Sequence, residues 1–311
     1  MKIVITDQIW GVPQKYWEQL RAMGADVYTD SVASQAEAAE RVKDAEIITI
    51  NYFDGDKELI DAAPKLKYIV VPAVGYDWVD LDYARSKGIT VVNCPTFVPL
   101  PVAEQAMALL LTLAKRLPEA QADMKSGLWA SNNYTSFELA GKKLGLLGYG
   151  NIGKHVERMA KGFDMTVTYA NSKSTPEEID QLIQDSDVVC LCLPLTDSTR
   201  HLLDERRLRM LKKSAYLINV ARGAIVDQTV LLRALKEGWL AGAGLDVFEG
   251  EPGADGELSG QILELVSLPN VVASPHSAFN TLESLDRKGA EIVANIQACI
   301  DGAPINVVNA A

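Results

Sequence analysis

The sequence predicts an α/β protein with two domains, each built on a doubly wound parallel sheet. Residues 1–97 alternate short apolar strand patterns with amphipathic helix patterns, which is the arrangement of successive βαβ units. Residues 94–101 then contain three prolines, which indicates a crossing between domains. The same alternation restarts at Lys143, and 311 residues are enough for two cores of this kind.

Residues 1–97 are predicted to form a sheet that carries no phosphate-binding turn. Its strands are expected at 3–6, 26–28, 47–50, 68–71 and 90–92, and its helices near 13–23, 36–42, 57–62 and 81–87. Right-handed crossovers should connect these parallel strands. No glycine-rich phosphate turn occurs in this half of the sequence.

The segment after the proline-rich crossing predicts two helices and a polar arm. Residues 102–117 are apolar on almost every side, so this helix must be buried in a core or at a subunit contact. A second helix is expected at 118–125. The polar loop after it contains Trp129, Tyr134 and Phe137, which either dock on a second subunit or pack on their own domain.

Six further strands are predicted from Lys143 onward, at 144–147, 166–169, 188–193, 215–219, 242–245 and 271–273. With helices between them, they form a second complete doubly wound sheet. The final helix, 281–300, is long and amphipathic. We expect it to return to the first domain, so that the chain crosses twice between the domains and encloses a cleft.

Composition excludes several classes of protein. A net charge of −11 argues against a nucleic-acid partner, because phosphate neutralisation needs clustered lysine and arginine. No apolar run reaches about 18 residues, and Met1 leads directly into a strand pattern, so we expect a cytoplasmic protein without a membrane span. The four cysteines show no metal-site spacing, and Cys190 and Cys192 have poor disulfide geometry; all four are interpreted as buried or half-buried hydrophobes.

A glycine-rich turn lies between the strand at 144–147 and an amphipathic helix. It reads Gly148-Tyr149-Gly150-Asn151-Ile152-Gly153. Glycine at these three places allows a tight turn, a backbone that approaches a pyrophosphate, and close contact between helix and strand. The N–H groups and the dipole at the helix start favour phosphate charge. The flanking strand and helix favour a dinucleotide site over a plain turn.

Only three histidines are available as a general acid or base. His155 and His201 are interpreted as solvated surface residues. His276 instead follows an apolar strand, and ligands of doubly wound sheets bind beyond the carboxyl ends of strands. The two preceding strand ends add Arg222 and Glu251. Three consecutive strand ends therefore carry an arginine, a glutamate and a histidine.

These three side chains indicate hydride transfer on a 2-hydroxy or 2-oxo acid. Arginine offers two parallel donors to a carboxylate and polarises the adjacent carbonyl. Histidine moves the hydroxyl proton near neutral pH, and a carboxylate beside it favours the imidazolium form. A nicotinamide supplies the hydride, so no metal is required.

The ordered motifs resemble those of the D-isomer-specific 2-hydroxyacid dehydrogenase family over essentially the whole chain. Beside the glycine-rich turn, they are NVARG at 219–223, LDV at 245–247 with EP at 251–252, SPH at 274–276, VAE at 102–104 and VGYD at 74–77. The resemblance implies a flavodoxin-like catalytic domain at 1–98 plus 281–311. It also implies an inserted Rossmann dinucleotide-binding domain at 99–280, and a homodimer formed largely through that domain.

The resemblance further implies roles for individual residues. Arg222 anchors the substrate carboxylate and carbonyl, while Glu251 pairs with His276, the acid/base. Asp246 contacts the nicotinamide amide. Backbone N–H groups of the loop Ala73-Val74-Gly75 bind the substrate carboxylate. The other predicted cofactor contacts are Gly148, Tyr149, Gly150, Asn151, Ile152, Gly153, Pro194, Thr199, Val220 and Ala221.

The end of the strand at 166–169 departs from the pattern for NAD. About 20 residues past the glycines, an acidic residue should bind the ribose 2′-hydroxyl. That position is Asn171, followed by Ser172 and Lys173, and nothing from 166 to 175 is acidic. A carboxylate would repel a 2′-phosphate, whereas these three side chains donate hydrogen bonds to one. We therefore predict that NADP(H) is favoured, with NAD(H) as the alternative.

Aromatic residues predict the substrate class. Tyr52 and Phe53 follow a strand of the first domain, and Phe279 lies three residues after His276. Such walls suit a 2-oxo acid with an apolar side chain, although the same rings can instead pack the domain contact. The stretch 277–279 looks more like the D-lactate branch than the glyoxylate branch. The predicted activity is reversible, NAD(P)H-dependent reduction of a 2-oxo acid to the D-2-hydroxy acid; the alternative is a dinucleotide-sensing, corepressor-like binding protein on the same fold.

Overall fold

The computed structural model describes residues 1–6, 9, 11–30, 32–51, 53–252, 256–258 and 260–310. They form two compact units. The first comprises Met1–Val98 with Asn280–Ala311, and the second comprises Pro99–Phe279. The predicted domains differ from these units at Asn280, which the sequence assigns to the second domain.

The first unit is a five-stranded parallel sheet with the order β2-β1-β3-β4-β5, which is the flavodoxin-like order. Its strands are β1 (Ile3–Ile5), β2 (Ala25–Val27), β3 (Ile47–Thr49), β4 (Tyr68–Val71) and β5 (Thr90–Asn93). Its helices are α1 (Gln14–Ala22), α2 (Gln35–Val42), α3 (Lys57–Ala62), α4 (Leu81–Ser86) and, at the end of the chain, α12 (Leu282–Ile300). The inner strands β1 and β3 are buried at every position, as expected for a parallel sheet whose two faces are covered by helices.

The last helix packs within the first unit, as the sequence predicts. Gly289 of α12 lies so close to Tyr16 of α1 that a Cβ there would overlap the tyrosine ring. Thr281 caps the helix, because its hydroxyl accepts a hydrogen bond from the Ser284 N–H at 3.2 Å. Buried Asn295 donates to the carbonyl oxygen of Asn93, at the end of β5, at 2.9 Å. Packing, capping and a buried hydrogen bond together hold α12 on the first sheet.

The second unit is a six-stranded parallel sheet with the order β11-β10-β9-β8-β6-β7. Its strands are β6 (Lys143–Leu147), β7 (Thr166–Ala170), β8 (Val188–Leu191), β9 (Tyr216–Asn219), β10 (Gly242–Leu245) and β11 (Val271–Ala273). Its helices are α5 (Pro99–Lys115), α6 (Leu117–Lys125), α7 (Asn151–Gly162), α8 (Pro176–Asp185), α9 (Glu205–Leu208), α10 (Gln228–Glu237) and α11 (Gly260–Val266). Strand β6 lies between β7 and β8, so the strand order reverses there, and ligands of such sheets bind at this reversal.

The bounds of α5 and β8 differ from the predicted ones. Helix α5 begins at Pro99 rather than at residue 102. Proline is well suited to the first turn of a helix, where its missing N–H would have no intrahelical partner. Strand β8 ends at Leu191 rather than at residue 193.

The apolar helix α5 packs on the sheet of its own unit. Gly244 of β10 leaves space for it: a Cβ there would lie 2.8 Å from the Leu109 Cβ and 3.4 Å from the Leu113 Cδ1. This contact accounts for the apolar face of α5 that meets the sheet, and most other apolar side chains of the helix are buried as well. Among the described residues, no helix combines the length and apolar character that crossing a membrane requires.

The arm after α6 divides into a packed part and an exposed part. Phe137 stacks on Tyr216 with ring centroids 4.9 Å apart, and the Tyr134 hydroxyl donates to Asp123. Trp129 is 81% exposed. Of the three aromatic residues predicted to dock or to pack, two therefore pack on their own unit.

Candidate active site

The glycine-rich turn joins β6 to α7, and each glycine meets a different requirement. Gly148 has φ +98°, and a Cβ there would lie 2.5 Å from the carbonyl group of Cys192. A Cβ on Gly153 would lie 2.5 Å from the Gly148 oxygen, whereas one on Gly150 would meet open space. No side chain of the described residues caps the start of α7. Packed glycines below an open, uncapped helix start fit the pyrophosphate of a dinucleotide.

Tyr149 is held against the edge strand β7. Its ring stacks on Tyr169 with centroids 3.7 Å apart and planes 6° apart, and its hydroxyl donates to Glu157. Glu157 also pairs with Lys161 at 2.8 Å. The hydrogen bonds from Lys161 and then Tyr149 lower the pKa of Glu157. The predicted contacts Asn151 and Ile152 lie in the first turn of α7.

Asn171 opens a tight turn immediately after β7. Its Oδ1 accepts a hydrogen bond from the Lys173 N–H at 2.9 Å, and its N–H donates to the Ser174 hydroxyl at 3.2 Å. Asn171, Ser172 and Lys173 are all exposed. The carboxylate of Glu178, in the first turn of α8, is already engaged, because it accepts a hydrogen bond from the Thr175 N–H at 2.8 Å. The predicted ribose-binding turn therefore presents an amide, a hydroxyl and an ammonium group to solvent.

The connection after β8 is closed by Thr199. Its hydroxyl donates to the Pro194 carbonyl at 2.8 Å and accepts from the Thr196 N–H at 2.7 Å. This hydroxyl is thus already engaged within the loop that the sequence predicts to contact the cofactor. After β9, the Asn219 side chain accepts from the Ala221 N–H and donates to the Arg222 carbonyl, both at 3.0 Å. Val220, which lies between Asn219 and Ala221 in the sequence, is buried.

The arginine loop after β9 and the glutamate loop after β10 touch through their backbones. A Cβ on Gly223 would overlap the carbonyl group of Phe248 and the amide of Glu249. Arg222 precedes this glycine and donates from Nη1 to the Ala221 carbonyl at 3.0 Å. The close contact fixes the arginine loop against the loop that carries Glu251.

His276 and Glu251 form a hydrogen-bonded pair. The His276 Nδ1 lies 2.7 Å from the Glu251 Oε2, and the other carboxylate oxygen accepts from the Phe248 N–H at 2.8 Å. Burial of Glu251 by itself favours the protonated acid, but the hydrogen bond and charge of His276 and the Phe248 N–H act together against it, and the pKa of Glu251 is lowered. The charge of Arg222 acts in the same direction. The structure thus pairs His276 with Glu251 and places the loop of Arg222 against the loop that carries Glu251.

Buried Asp246 supports the loop that carries His276. Its carboxylate accepts from the Ser274 hydroxyl at 2.5 Å, and from the backbone N–H groups of Ser277 and Ala278 at 3.1 Å each. The His276 N–H donates to the Asp246 carbonyl at 2.7 Å. His276 adopts a left-handed backbone with φ 49°, which these bonds stabilise. Contact of Asp246 with the nicotinamide stays a prediction.

His201 is more constrained than the sequence suggests. Its Nε2 lies 3.0 Å from a carboxylate oxygen of Glu249, and its N–H donates to the Ala224 carbonyl at 2.8 Å. The side chain is still 41% exposed. A partner 48 residues away leaves no local signal in the sequence, so the interpretation as a solvated residue missed this pair. His155 accepts a hydrogen bond from Arg158 at 3.3 Å.

The predicted substrate residues of the first unit lie after β4 and β3. The Ala73 carbonyl accepts from the Cys94 N–H at 2.9 Å, and the Val74 carbonyl accepts from the Asn93 side chain at 2.7 Å. Gly75 follows in the same loop. Phe53 packs against the hydrophobic core of this unit.

Of the remaining aromatic candidates, Tyr52 lies outside the described residues. The rings of Phe279 and His276 are nearly perpendicular, with centroids 6.5 Å apart. Of the residues predicted to form an aromatic wall, Phe279 is thus adjacent to the predicted acid/base. In the described part of the chain, no cluster of three or more histidine, cysteine, aspartate or glutamate side chains could hold a metal ion.

Comparisons with known proteins identify relatives of this chain by sequence and by fold. The sequence model for the NAD binding domain of D-isomer specific 2-hydroxyacid dehydrogenases matches residues 107–278. Glyoxylate reductase of Thermococcus litoralis is 39% identical over 289 residues, which covers 87% of this chain and 85% of the relative. D-lactate dehydrogenase from Aquifex aeolicus, complexed with NAD and lactic acid, has a TM-score of 0.88 at 33% identity and is covered over 100% of both chains. An acyclic imino acid reductase in complex with NADPH and D-Arg has a TM-score of 0.90 at 29% identity, covering 99% of this chain and 100% of the other.

Proposed function

This chain belongs to the D-isomer-specific 2-hydroxyacid dehydrogenase family of NAD(P)-dependent enzymes, and we propose that it reduces a small 2-oxo acid to the D-2-hydroxy acid with NADPH. One observation carries the proposal. The His276–Glu251 pair, with an Nδ1–Oε2 distance of 2.7 Å, lies at a strand end next to the loop of Arg222. An acid/base, its carboxylate partner and a carboxylate-binding arginine are the groups that this reaction needs.

Each of these side chains has a definite task. The bound nicotinamide supplies the hydride that reaches the carbonyl carbon. The guanidinium of Arg222 binds the substrate carboxylate and polarises the adjacent carbonyl. Because Nδ1 of His276 is committed to Glu251, the proton for the new hydroxyl comes from Nε2. The Glu251 carboxylate stabilises the imidazolium from which this proton leaves.

The preference for NADPH rests on the turn at 171–174. Asn171, Ser172 and Lys173 are exposed there and carry no negative charge. An aspartate or glutamate at this position binds the ribose 2′-hydroxyl of NAD and repels a 2′-phosphate. NAD is the alternative cofactor, since related structures hold either one.

Two substrate classes enter the proposal, each supported by a different observation. The curated relatives named glyoxylate reductase support glyoxylate, the smallest 2-oxo acid. The edge-on contact of Phe279 with His276 supports a 2-oxo acid with an apolar side chain. The two classes differ in the size of the group attached to the reacting carbonyl.

Steady-state kinetics with a panel of 2-oxo acids tests the proposal. The values of kcat/KM are measured for glyoxylate, hydroxypyruvate, pyruvate, phenylpyruvate and a branched oxo acid, each with NADPH and NADH. We expect turnover, with a higher kcat/KM for NADPH than for NADH. The kcat/KM values of the five oxo acids should differ according to the size of their side chains. Binding of NADPH without turnover of any 2-oxo acid would favour the corepressor-like alternative. Equal rates across the panel would contradict the apolar-pocket proposal.

We also propose that the protein is a cytoplasmic homodimer, with α6 and the arm after it at the contact. Leu117 and Met124 of α6 and Leu128 and Trp129 of the arm are exposed by 53%, 55%, 49% and 81%. Several exposed apolar side chains in one segment are typical of a protein interface. Light scattering coupled to size exclusion measures the mass. Trp129→Ser should shift the dimer towards the monomer, and a wild-type monomer would contradict the proposal.

A further inference from the structure

A pair of thiols lies beside the glycine-rich turn and takes no part in the proposed chemistry. Cys190 belongs to β8, and Cys192 follows it by two positions, so their side chains share one face of the extended chain. Their Sγ atoms are 3.7 Å apart. Cys190 is buried, and Cys192 is partly exposed.

The pair is in direct backbone contact with the turn that fits the dinucleotide phosphates. The Cys192 N–H donates to the Leu147 carbonyl at 2.7 Å, immediately before the first glycine. A Cβ on Gly148 would lie 2.5 Å from the carbonyl group of Cys192. The backbone of Cys192 therefore adjoins the turn, and a bound group that displaces this residue also displaces the turn.

The spacing of the two sulfurs disfavours a direct disulfide. A disulfide needs an S–S distance of about 2.05 Å and Cα atoms no more than about 6.8 Å apart. Two residues separated by one position in a parallel strand have Cα atoms about 6.6 Å apart, near that limit. Strand β8 pairs with β6 on one side and β9 on the other, so the chain cannot readily shorten.

A single bridging atom fits the same spacing. Two bonds of about 2.3 Å to sulfur, at a tetrahedral angle, place the sulfur atoms about 3.8 Å apart. A metal cation, however, requires further ligands, and no cluster of three or more metal-binding side chains occurs within the described residues. A monoorganic trivalent arsenical needs only two sulfurs, because its carbon substituent occupies the third position. We propose that Cys190 and Cys192 form a binding site for a monoorganic trivalent arsenical, whose occupancy blocks the cofactor site.

The reaction requires no oxidant or reductant. An arsine oxide has an As=O group. Two As–S bonds replace it, and the two thiol protons leave with the oxygen as water. Arsenic and sulfur keep their oxidation states. The partly exposed Cys192 reacts first, and Cys190, already 3.7 Å away, then closes the ring at a high effective concentration.

The tethered second step explains why the pair would react where isolated cysteines do not. The hydrogen bond with Cys192, together with burial, holds the pKa of Cys190 well above its ordinary value, so Cys190 reacts only once the arsenic is bound to Cys192 beside it. Cys94 and Cys299 are buried in the first unit, and burial raises the pKa of Cys299 to about 11. Neither therefore provides an accessible thiolate.

Phenylarsine oxide is the probe, and intact-protein mass and NADPH binding are the readouts. We expect the mass to increase by one phenylarsenic group, and the Kd for NADPH to rise by about tenfold or more. Dithiothreitol should reverse both changes, because it offers a competing dithiol, whereas 2-mercaptoethanol at the same thiol concentration should not. Saturating NADPH should slow formation of the adduct. Both readouts are independent of the oxo acid, so their outcome is separate from that of the proposed substrate.

Three serine variants provide the controls. Cys190→Ser and Cys192→Ser should each lose the stable adduct, and Cys299→Ser should respond like the wild type. Circular dichroism establishes that each variant is folded, and Cys192→Ser carries the test if Cys190→Ser does not fold. An adduct of equal stability in Cys192→Ser would overturn the proposal. So would a wild-type adduct that leaves NADPH binding unchanged.

Discussion

Gly223 and Phe248 meet backbone to backbone at the ends of two neighbouring strands. A Cβ on Gly223 would overlap the Phe248 carbonyl group. This contact joins the loop of Arg222, after β9, to the loop of Glu251, after β10. The two loops can approach this closely because Gly223 has no side chain. The relative positions of Arg222 and Glu251 thus depend on glycine at residue 223.

Substitution of Gly223 should therefore damage turnover by displacing both loops. The obstructing atoms are backbone and cannot rotate away, so Gly223→Ala must shift one loop. A misplacement of about 1 Å can cost roughly 10²-fold in rate, and we expect a loss of kcat of that order. Gly162→Ala, where a Cβ meets open space, is the matched control and should keep its activity. Full activity in Gly223→Ala would show that the loop contact is not required.

Replacement of His276 tests the acid/base. His276→Gln keeps a polar side chain but cannot supply a proton, so kcat should fall by about 10²–10⁴-fold. NADPH binding, measured by the fluorescence of the bound cofactor, should be unchanged. His155→Gln, a change of the same kind on α7, should retain wild-type kcat. Retained turnover in His276→Gln would refute the assignment.

Replacement of Arg222 by lysine separates charge from geometry. Lysine keeps the positive charge but loses the two parallel donors, so carboxylate binding and carbonyl polarisation both weaken. Loss of a hydrogen bond to a charged group is worth about 1.5–3 kcal/mol, and kcat/KM should fall by roughly 10- to 100-fold. Arg233→Lys, at an exposed pair with Glu205, is the control and should change little. An unchanged kcat with only a raised KM would limit Arg222 to ground-state binding.

The Glu251–His276 pair predicts a dependence of stability on pH. The pKa of Glu251 is lower in the folded protein than the ordinary value of about 4.3. Its ionised form therefore contributes stability above about pH 4.3, and this contribution is lost as the pH falls through the folded-state pKa. In thermal melts across this range, Glu251→Gln should lose less of its Tm on acidification than the wild type.

The turn after β7 predicts how cofactor preference can be changed. Asn171→Asp keeps the Oδ1 acceptor for the Lys173 N–H and adds a charge that repels a 2′-phosphate and accepts from a ribose 2′-hydroxyl. The ratio of kcat/KM for NADPH to that for NADH should fall by about tenfold or more. Asn132→Asp adds the same charge elsewhere on the second unit and should leave the ratio unchanged. An unaltered ratio in Asn171→Asp would place the 2′-position away from this turn.

Local sequence determined the elements of this protein and much of its proposed chemistry. Alternating apolar patterns predict the strands and helices because a side chain's neighbours along the chain decide which face it presents. The bounds of β4, β10 and β11 are confirmed without change, and α5 differs because prolines suit a helix start. The glycine-rich turn, Arg222, Glu251 and His276 were identifiable because each lies within a few residues of the end of a recognisable strand.

Only the tertiary structure decided which residues meet. The register of neighbouring strands and the pairing of His201 with Glu249 join residues 21 or more positions apart. The family resemblance implies that Glu251 pairs with His276, 25 positions away, but only the structure gives the 2.7 Å distance between them. The support that Asp246 gives to the His276 loop and the contact of Gly223 with Phe248 are of the same kind. Local patterns carry no information about such partners, because many different pairings satisfy the same apolar and polar alternation. Long-range packing selects one of them.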